Sequence, residues 1–296
     1  MSVADAPIVD AHHHFWWEPS QESYPWMTDS LTIIRRTFGP EELHPLLAEC
    51  GVDCTVLVQT RSNLAETRDF LELAARTDFI AGVVGWADLT DPRVDITLRE
   101  LQAGMGGSYL KGIRHQVHDE QDPRWLLRDD VLQGLRAVGE LGLAYDFLVR
   151  PREVPAAHEV ACMFPEMRFV IDHLAKPPIS RGGMNGWETG MAAISELQNV
   201  SCKLSGMVTE ADWSTWKRAD LAPYIDRVVG WFGSDRLMFG SDWPVCLLAA
   251  SYDQVFAAYS SALVKLPYDA RLKILGGNAI AFYKLDCAKT DRAARP

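Results

Sequence analysis

The chain has 296 residues, 48% of them hydrophobic and 23% charged, with a formal net charge of -11. This is the balance of a soluble globular protein with a full-sized core, and the length suits one α/β barrel of about 250 residues as well as two smaller domains. The acidic excess repels polyanions and no Lys/Arg-rich run offsets it, which excludes nucleic acid as a partner.

The N-terminus, MSVADAPIVD, lacks the basic segment and the apolar run of a secretory signal. Apolar stretches such as FIAGVVGWA at 79–87 are too short to cross a bilayer. The expectation is a cytoplasmic protein with no membrane partner. The cysteines, Cys50, Cys54, Cys162, Cys202, Cys246 and Cys287, form no CxxC pair. In that compartment they read as buried reduced thiols rather than disulfides or a zinc ribbon.

The first apolar run, 8–12, leads into a long aromatic loop over 15–37 (FWWEPSQESYPWM at its start), long enough to serve as a lid or binding loop. A second run at 54–60 (CTVLVQT) is followed by helical spacing over 62–77 behind a Ser/Asn cap. A third at 80–86 precedes DPRVDITLRELQ at 91–102, where Asp then Pro opens a helix. A fourth at 109–114 (YLKGIR) precedes a helix over 129–142 with a Gly stop. Runs at 144–150 (AYDFLVR) and 167–173 (MRFVIDH) follow, then a Gly/Pro-rich loop over 174–190. The last two lie at 200–205 (VSCKLS) and 236–241 (RLMFGS), with a helix at 251–266 behind them. Continuous apolar character suits parallel strands buried on both faces. Eight such strands alternating with helices predict a single-domain (β/α)8 TIM-like barrel over residues 1–296, with a loose tail from about 287. A doubly wound open sheet is the competitor, but no GxGxxG follows the first strand.

IVDAHHHFW at 8–16 places three histidines where the first strand ends. Side chains alternate along a strand, so Asp10, His12 and His14 are expected on one face and His13 on the other. In a barrel the C-terminal mouth is where active sites are built. LMFGSDWP at 237–244 ends the eighth strand with Asp242, which closure of the barrel brings beside His12 and His14. A carboxylate beside two imidazoles binds a divalent metal or acts as a general base; alternatively it caps the next helix. His173 ends the sixth strand in VIDHLAKPP. Lys111, Arg114 and Lys203 lie near other strand ends, either to hold substrate or as structural ion pairs. His115 is close enough to the mouth to line a pocket. His44, His118 and His158 are read as unrelated to the chemistry.

D-x-H-x-H at 10–14, His173 and Asp242, together with YPWM, GVVGWADL, LKGIRH, DFLVRP, CKLSG, FGSDWPV and GGNAIAFYKL, run in order from residue 10 to residue 285. The set resembles the amidohydrolase superfamily, and within it the sugar-lactonase branch of the L-fuconolactonase and L-rhamnonolactonase type. The resemblance implies a (β/α)8 barrel that hydrolyses an aldonolactone to a sugar acid, with His12, His14, His173 and Asp242 as the hydrolytic core. Binuclear relatives carry a modified lysine on strand four and a histidine on strand five. Here Lys111 is on strand four and AYDFLVR offers no histidine, so the resemblance implies one Zn²⁺-like ion, held by His12, His14 and Asp242, or none.

On this reading Asp242 takes a proton from water, the hydroxide attacks the lactone carbonyl, and His173, a cation or the metal stabilises the oxyanion. The polyol would contact Lys111, Arg114, His115, Lys203 and the loop residues Trp16, Tyr24 and Trp26, although simple lid packing explains the aromatics equally. The implied partner is a small sugar lactone. Two other readings stay open: a metal-dependent non-oxidative decarboxylase on the same barrel, and a carbohydrate-binding barrel without catalysis.

Overall fold

Eight short apolar runs form eight parallel strands: β1 (Val9–His13), β2 (Cys54–Val58), β3 (Ile80–Gly85), β4 (Leu110–His115), β5 (Ala144–Phe147), β6 (Phe169–Ile171), β7 (Val200–Leu204) and β8 (Leu237–Phe239). The structure, a computed structural model, describes residues 6–20, 22–184 and 186–287. Each strand pairs with its sequence neighbour in the order β1 to β8. Closure is made by the chain just past β8: Asp242 N donates to His12 O at 2.8 Å and His14 N donates to Trp243 O at 2.7 Å. A closed single-domain barrel leaves no place for the doubly wound alternative.

The strands form because their residues are buried on both faces, which only continuous apolar character tolerates. Helices Leu64–Ala74, Asp129–Glu140 and Tyr252–Ala262 lie within their expected spans, and Val94–Ala103 runs one residue past its own. Asn63 caps the first of these, its side chain accepting from Ala65 N at 2.7 Å. Gly142, at φ 70°, turns the chain after Asp129–Glu140, a conformation that an L side chain resists. Between strands and helices lies the larger apolar cluster, with Phe147, Phe169, Leu204 and Phe239 among its members. A second cluster of smaller side chains, among them Val9, Ala11, Val56, Val58, Ala144, Val170 and Met238, packs with Tyr283 and Leu285 from the C-terminal end of the chain. Those last two residues plug the barrel at the end opposite the mouth.

Three expectations are corrected. Strands β6 and β8 stop after three residues, at Ile171 and Phe239, because the backbone leaves the ladder just before His173 and Asp242. Cys54 and Cys287 are joined as a disulfide rather than held as free thiols, while Cys50, Cys162, Cys202 and Cys246 are free; the bond ties the C-terminal segment to the start of β2. The loop at 15–37 is not featureless: Asp29–Ile34 forms a 3-10 turn and Trp16 pairs with Phe38 across it. The tail at 288–296 lies outside the described residues. Among the described residues no helix is long and apolar enough to cross a membrane.

Candidate active site

The mouth side chains converge on Asp242. Its Oδ1 lies 3.3 Å from His14 Nε2, 3.8 Å from His173 Nε2 and 3.9 Å from His12 Nε2. His12 and His14 also meet each other, Nε2 to Nε2, at 3.2 Å. The Nδ1 of His14 lies 2.8 Å from Val58 O; a carbonyl only accepts, so Nδ1 carries the hydrogen and Nε2 is turned inward. His13 points the other way, bonded to Thr55 Oγ1 at 2.8 Å.

Asp10 does not join this face. The ladder register slips between Asp10 and His13, so simple alternation fails there. Asp10 Oδ1 accepts from Ser241 N at 2.8 Å and His12 N at 3.1 Å, and Oδ2 from Tyr252 Oη at 3.1 Å. It fastens the strand carrying the histidines to the segment carrying Asp242. Burial pushes its carboxyl up to about 6 despite those bonds.

His173 lies two residues past β6 and begins a run of four left-handed residues, His173 to Lys176 (φ 53°, 52°, 56° and 52°). Each such non-glycine residue costs about 1–2 kcal/mol, and strain of this kind gathers where a side chain must be aimed. Here the run brings the His173 ring to Asp242 and Lys176 to the cavity wall. Asp242 is itself left-handed, at φ 59°. Two glycines make room. A Cβ on Gly240 would sit 2.6 Å from His12 Cβ, and one on Gly206 would run into the His173 ring.

Burial sets the charge states. It drives His12 well below its ordinary value and His173 down to about 4, so both rings are neutral at pH 7. Burial pushes Asp242 up, but His173, His14 and Lys176 outweigh it and hold the carboxyl below its usual range. Asp242 is therefore an anion beside the neutral rings of His12 and His173.

A cavity of about 270 Å³ opens over this group; His14, His173, Asp242, Arg114 and Trp26 lie in its wall. His12 is fully buried beneath it. Lys203 is also fully buried, deep in the barrel, where it pairs with Asp146 and Asp172 instead of reaching the cavity. Lys111 is at the far end of β4 with its stem over Gly82 beside Leu285, away from the mouth. His115 faces an adjoining cavity, pinned between Trp86 Nε1 at 3.0 Å and Glu120 Oε1 at 2.7 Å. Trp16 is buried, its indole N–H donating to Ile34 O and Arg36 O, and Tyr24 packs on it. Both are lid packing; Trp26 alone of the three lines the cavity.

The sequence reading missed Arg150, Lys176, Gln116 and His118 in the wall. His118, taken as unrelated, is pushed down to about 2 by burial and by Lys176, Arg150 and Arg114. Asp172 was missed as well, although alternation from Val170 puts it on the inner face.

Ligand atoms of His12, His173 and Asp242 all lie within 4.8 Å of one another. Two neutral imidazoles and a carboxylate are a zinc-type donor set with the three protein ligands of catalytic sites, so these residues fit a divalent ion. The set differs from the expected one by His173 in place of His14, whose ring is tethered to Val58 while still touching two of the three.

Fold and site together define the class: a (β/α)8 barrel whose mouth carries an acid–imidazole cluster able to hold one metal. The amidohydrolase family profile matches residues 9–285, and the chain belongs to that family. It is 41% identical, over 97% of its length and 99% of the relative's, to the L-fucono-1,5-lactonase of Burkholderia ambifaria. The L-fucono-1,5-lactonase of Burkholderia multivorans is 36% identical, with 94% and 96% covered. An amidohydrolase of Burkholderia multivorans solved with bound zinc superimposes with a TM-score of 0.89 at 35% identity, over 95% of this chain and 100% of that one.

Proposed function

We propose that the chain hydrolyses a sugar-derived aldonolactone to its aldonic acid, and that L-fucono-1,5-lactone, the compound named for the two relatives, is its substrate or close to it. The observation that carries the reading is the single ionised carboxylate, Asp242 Oδ1, set 3.3 to 3.9 Å from three imidazoles at the floor of a cavity. Similarity along both full chains supports the substrate class. The cavity's about 270 Å³ suits one sugar ring, near the lower end of ligand pockets at about 300 Å³.

A lactone is an activated ester and needs less help than an amide. Asp242 takes a proton from water, and the hydroxide adds to the lactone carbonyl. Arg114 and Lys176 face the cavity and offset the charge that develops on the carbonyl oxygen. The acyl–oxygen bond of the ring then breaks, and the proton on Asp242 passes to the departing ring oxygen. Trp26 gives an apolar face to the sugar while Gln116 and His118 meet its hydroxyls. A divalent ion held by His12, His173 and Asp242, zinc being the one found in the solved relative, would supply a Lewis acid for the water and the carbonyl.

Asp242→Asn should keep its fold by circular dichroism and lose about 10²–10⁴-fold in turnover of L-fucono-1,5-lactone, followed by a pH indicator. A wild-type rate in that variant would remove Asp242 from the mechanism. The same assay with a chelator reports whether the ion is required.

A further inference from the structure

The catalytic cavity does not end at Trp26. A second cavity, of about 470 Å³, lies against it, and Trp26, Thr60, Gln116 and Asp119 stand in the walls of both. Hydrolysis of a single-ring lactone uses only the first. The second is the larger of the two, and nothing in that reaction calls for it.

Its wall is held in place from behind. Glu66, on helix Leu64–Ala74, is 2% exposed. It accepts from Thr60 N at 2.8 Å, Arg61 N at 2.9 Å and Arg61 Nε at 3.2 Å, so one buried carboxylate fixes the turn that leads into Ser62 and Asn63. Ser62 Oγ donates to Gln116 Oε1 at 2.8 Å, and Gln116 Nε2 donates to Thr60 O at 3.0 Å. His115 stacks on Trp125, with centroids 4.2 Å apart and planes 9° from parallel, while Trp86 Nε1 and Glu120 Oε1 hold its two nitrogens. The Arg61 guanidinium lies over the Tyr24 ring, and Tyr24 meets Trp26 edge-on. A wall already ordered spares a ligand the entropy of ordering it.

The chemistry of the wall selects the ligand. Glu22, Asp119 and Glu120 put three carboxylates in it, whereas the charge of Arg61 is taken up by Glu66. That excess of negative charge disfavours a phosphate or carboxylate group. Carboxylates only accept, while the groups of Ser62, Asn63 and Gln116 both donate and accept, a mixture that suits a neutral ligand rich in hydroxyls. Trp26 adds an aromatic face at the border, where a ring in one cavity adjoins a ring in the other.

We propose that the second cavity is a subsite for a second, neutral sugar residue, so that the enzyme takes aldonolactones that still carry a glycosyl group: the lactone ring over Asp242, the attached sugar beyond Trp26, against Ser62, His115 and Glu120. The kinetic consequence rests on the lactonase reading; the binding of a second sugar does not.

The probes are L-fucono-1,5-lactone bearing a β-D-galactosyl group on O2, O3 or O4, and the three parent galactosyl-L-fucoses, which have no lactone to hydrolyse. One of the three lactones should have a KM about tenfold below that of L-fucono-1,5-lactone, the worth of one or two net hydrogen bonds. The matching galactosyl-L-fucose should bind about tenfold more tightly than L-fucose by calorimetry. Glu22→Trp, at an exposed position of the wall, narrows the second cavity and should bring both ratios to about one. If L-fucono-1,5-lactone is hydrolysed but no galactosyl-L-fucose binds more tightly than L-fucose, the subsite is overturned and the lactonase reading stands. A preference for the disaccharide that survives Glu22→Trp places the second sugar elsewhere and also overturns it. Tighter disaccharide binding that Glu22→Trp abolishes, without hydrolysis of any lactone, sinks the lactonase reading and leaves the subsite standing.

Discussion

At the closed end of the barrel, Val9, Ala11, Val56, Ala144 and Met238 pack against Tyr283 and Leu285. At the mouth, the same strands lead into His12, His14, His173 and Asp242, with left-handed backbone at His173 to Lys176 and at Asp242. The first region has small apolar side chains in ordinary strand geometry. The second concentrates buried titratable groups and positive φ angles. Strands that are cheap to bury supply the rigidity against which an expensive cluster is held, so stability and chemistry are segregated along one axis. Buried Lys203, with Asp146 and Asp172, is the boundary between them.

The comparison breaks most sharply at that boundary. Lys203→Met leaves Asp146 and Asp172 buried without their cation and should destabilise the fold by about 3–5 kcal/mol, read as a fall in the urea midpoint. At the closed end, Met238→Ala should cost about 2–5 kcal/mol through the cavity it leaves, yet the folded fraction should keep its kcat. A matching loss of kcat would mean that the two ends are not separable.

Acid should act through the mouth. His12, His13, His118 and His173 all have lowered pKa values from burial, against two carboxyls raised to about 6, also by burial, at Asp10 and Asp146. Between pH 4 and 6.5 the unfolded chain binds protons on four histidines that the fold refuses, while the fold keeps protons on two aspartates that the unfolded chain releases. Two imidazoles remain uncompensated, the unfolded state holds more protons, and stability rises with pH. Urea midpoints should therefore fall from pH 6.5 to 4.5, by about 1.4 kcal/mol per pH unit for each uncompensated group; a flat profile would show that the imidazoles are protonated in the fold. The smallest effect is expected at Ala175→Gly. Glycine relieves about 1–2 kcal/mol of left-handed strain and gives back about 0.4–1 kcal/mol through the freer unfolded chain, for a slight net gain in thermal midpoint.

Much of the fold is legible along the chain because parallel strands buried on both faces must be apolar throughout, and some of the helices between them carry their own caps, as at Asn63 and Ser251. His12, His14 and Asp242 are legible for a related reason: spacing by two at the end of one strand, and an acid at the end of the last, meet once the barrel closes. Asp10 was misplaced because a one-residue slip in the ladder reverses the faces. Lys203 and Lys111 were grouped as mouth residues because nearness to a strand end does not tell depth along the barrel.

Local periodicity, then, determined which residues build strands and which side chains share a face, since those follow from the geometry of a single segment. Tertiary structure alone decided the rest: that Cys54 meets Cys287, that His173 reaches Asp242 through a left-handed turn, and that Lys203 sits under His12 rather than beside substrate. Each of these depends on neighbours far apart in the chain, and on burial and charge balance that exist only after the barrel has closed.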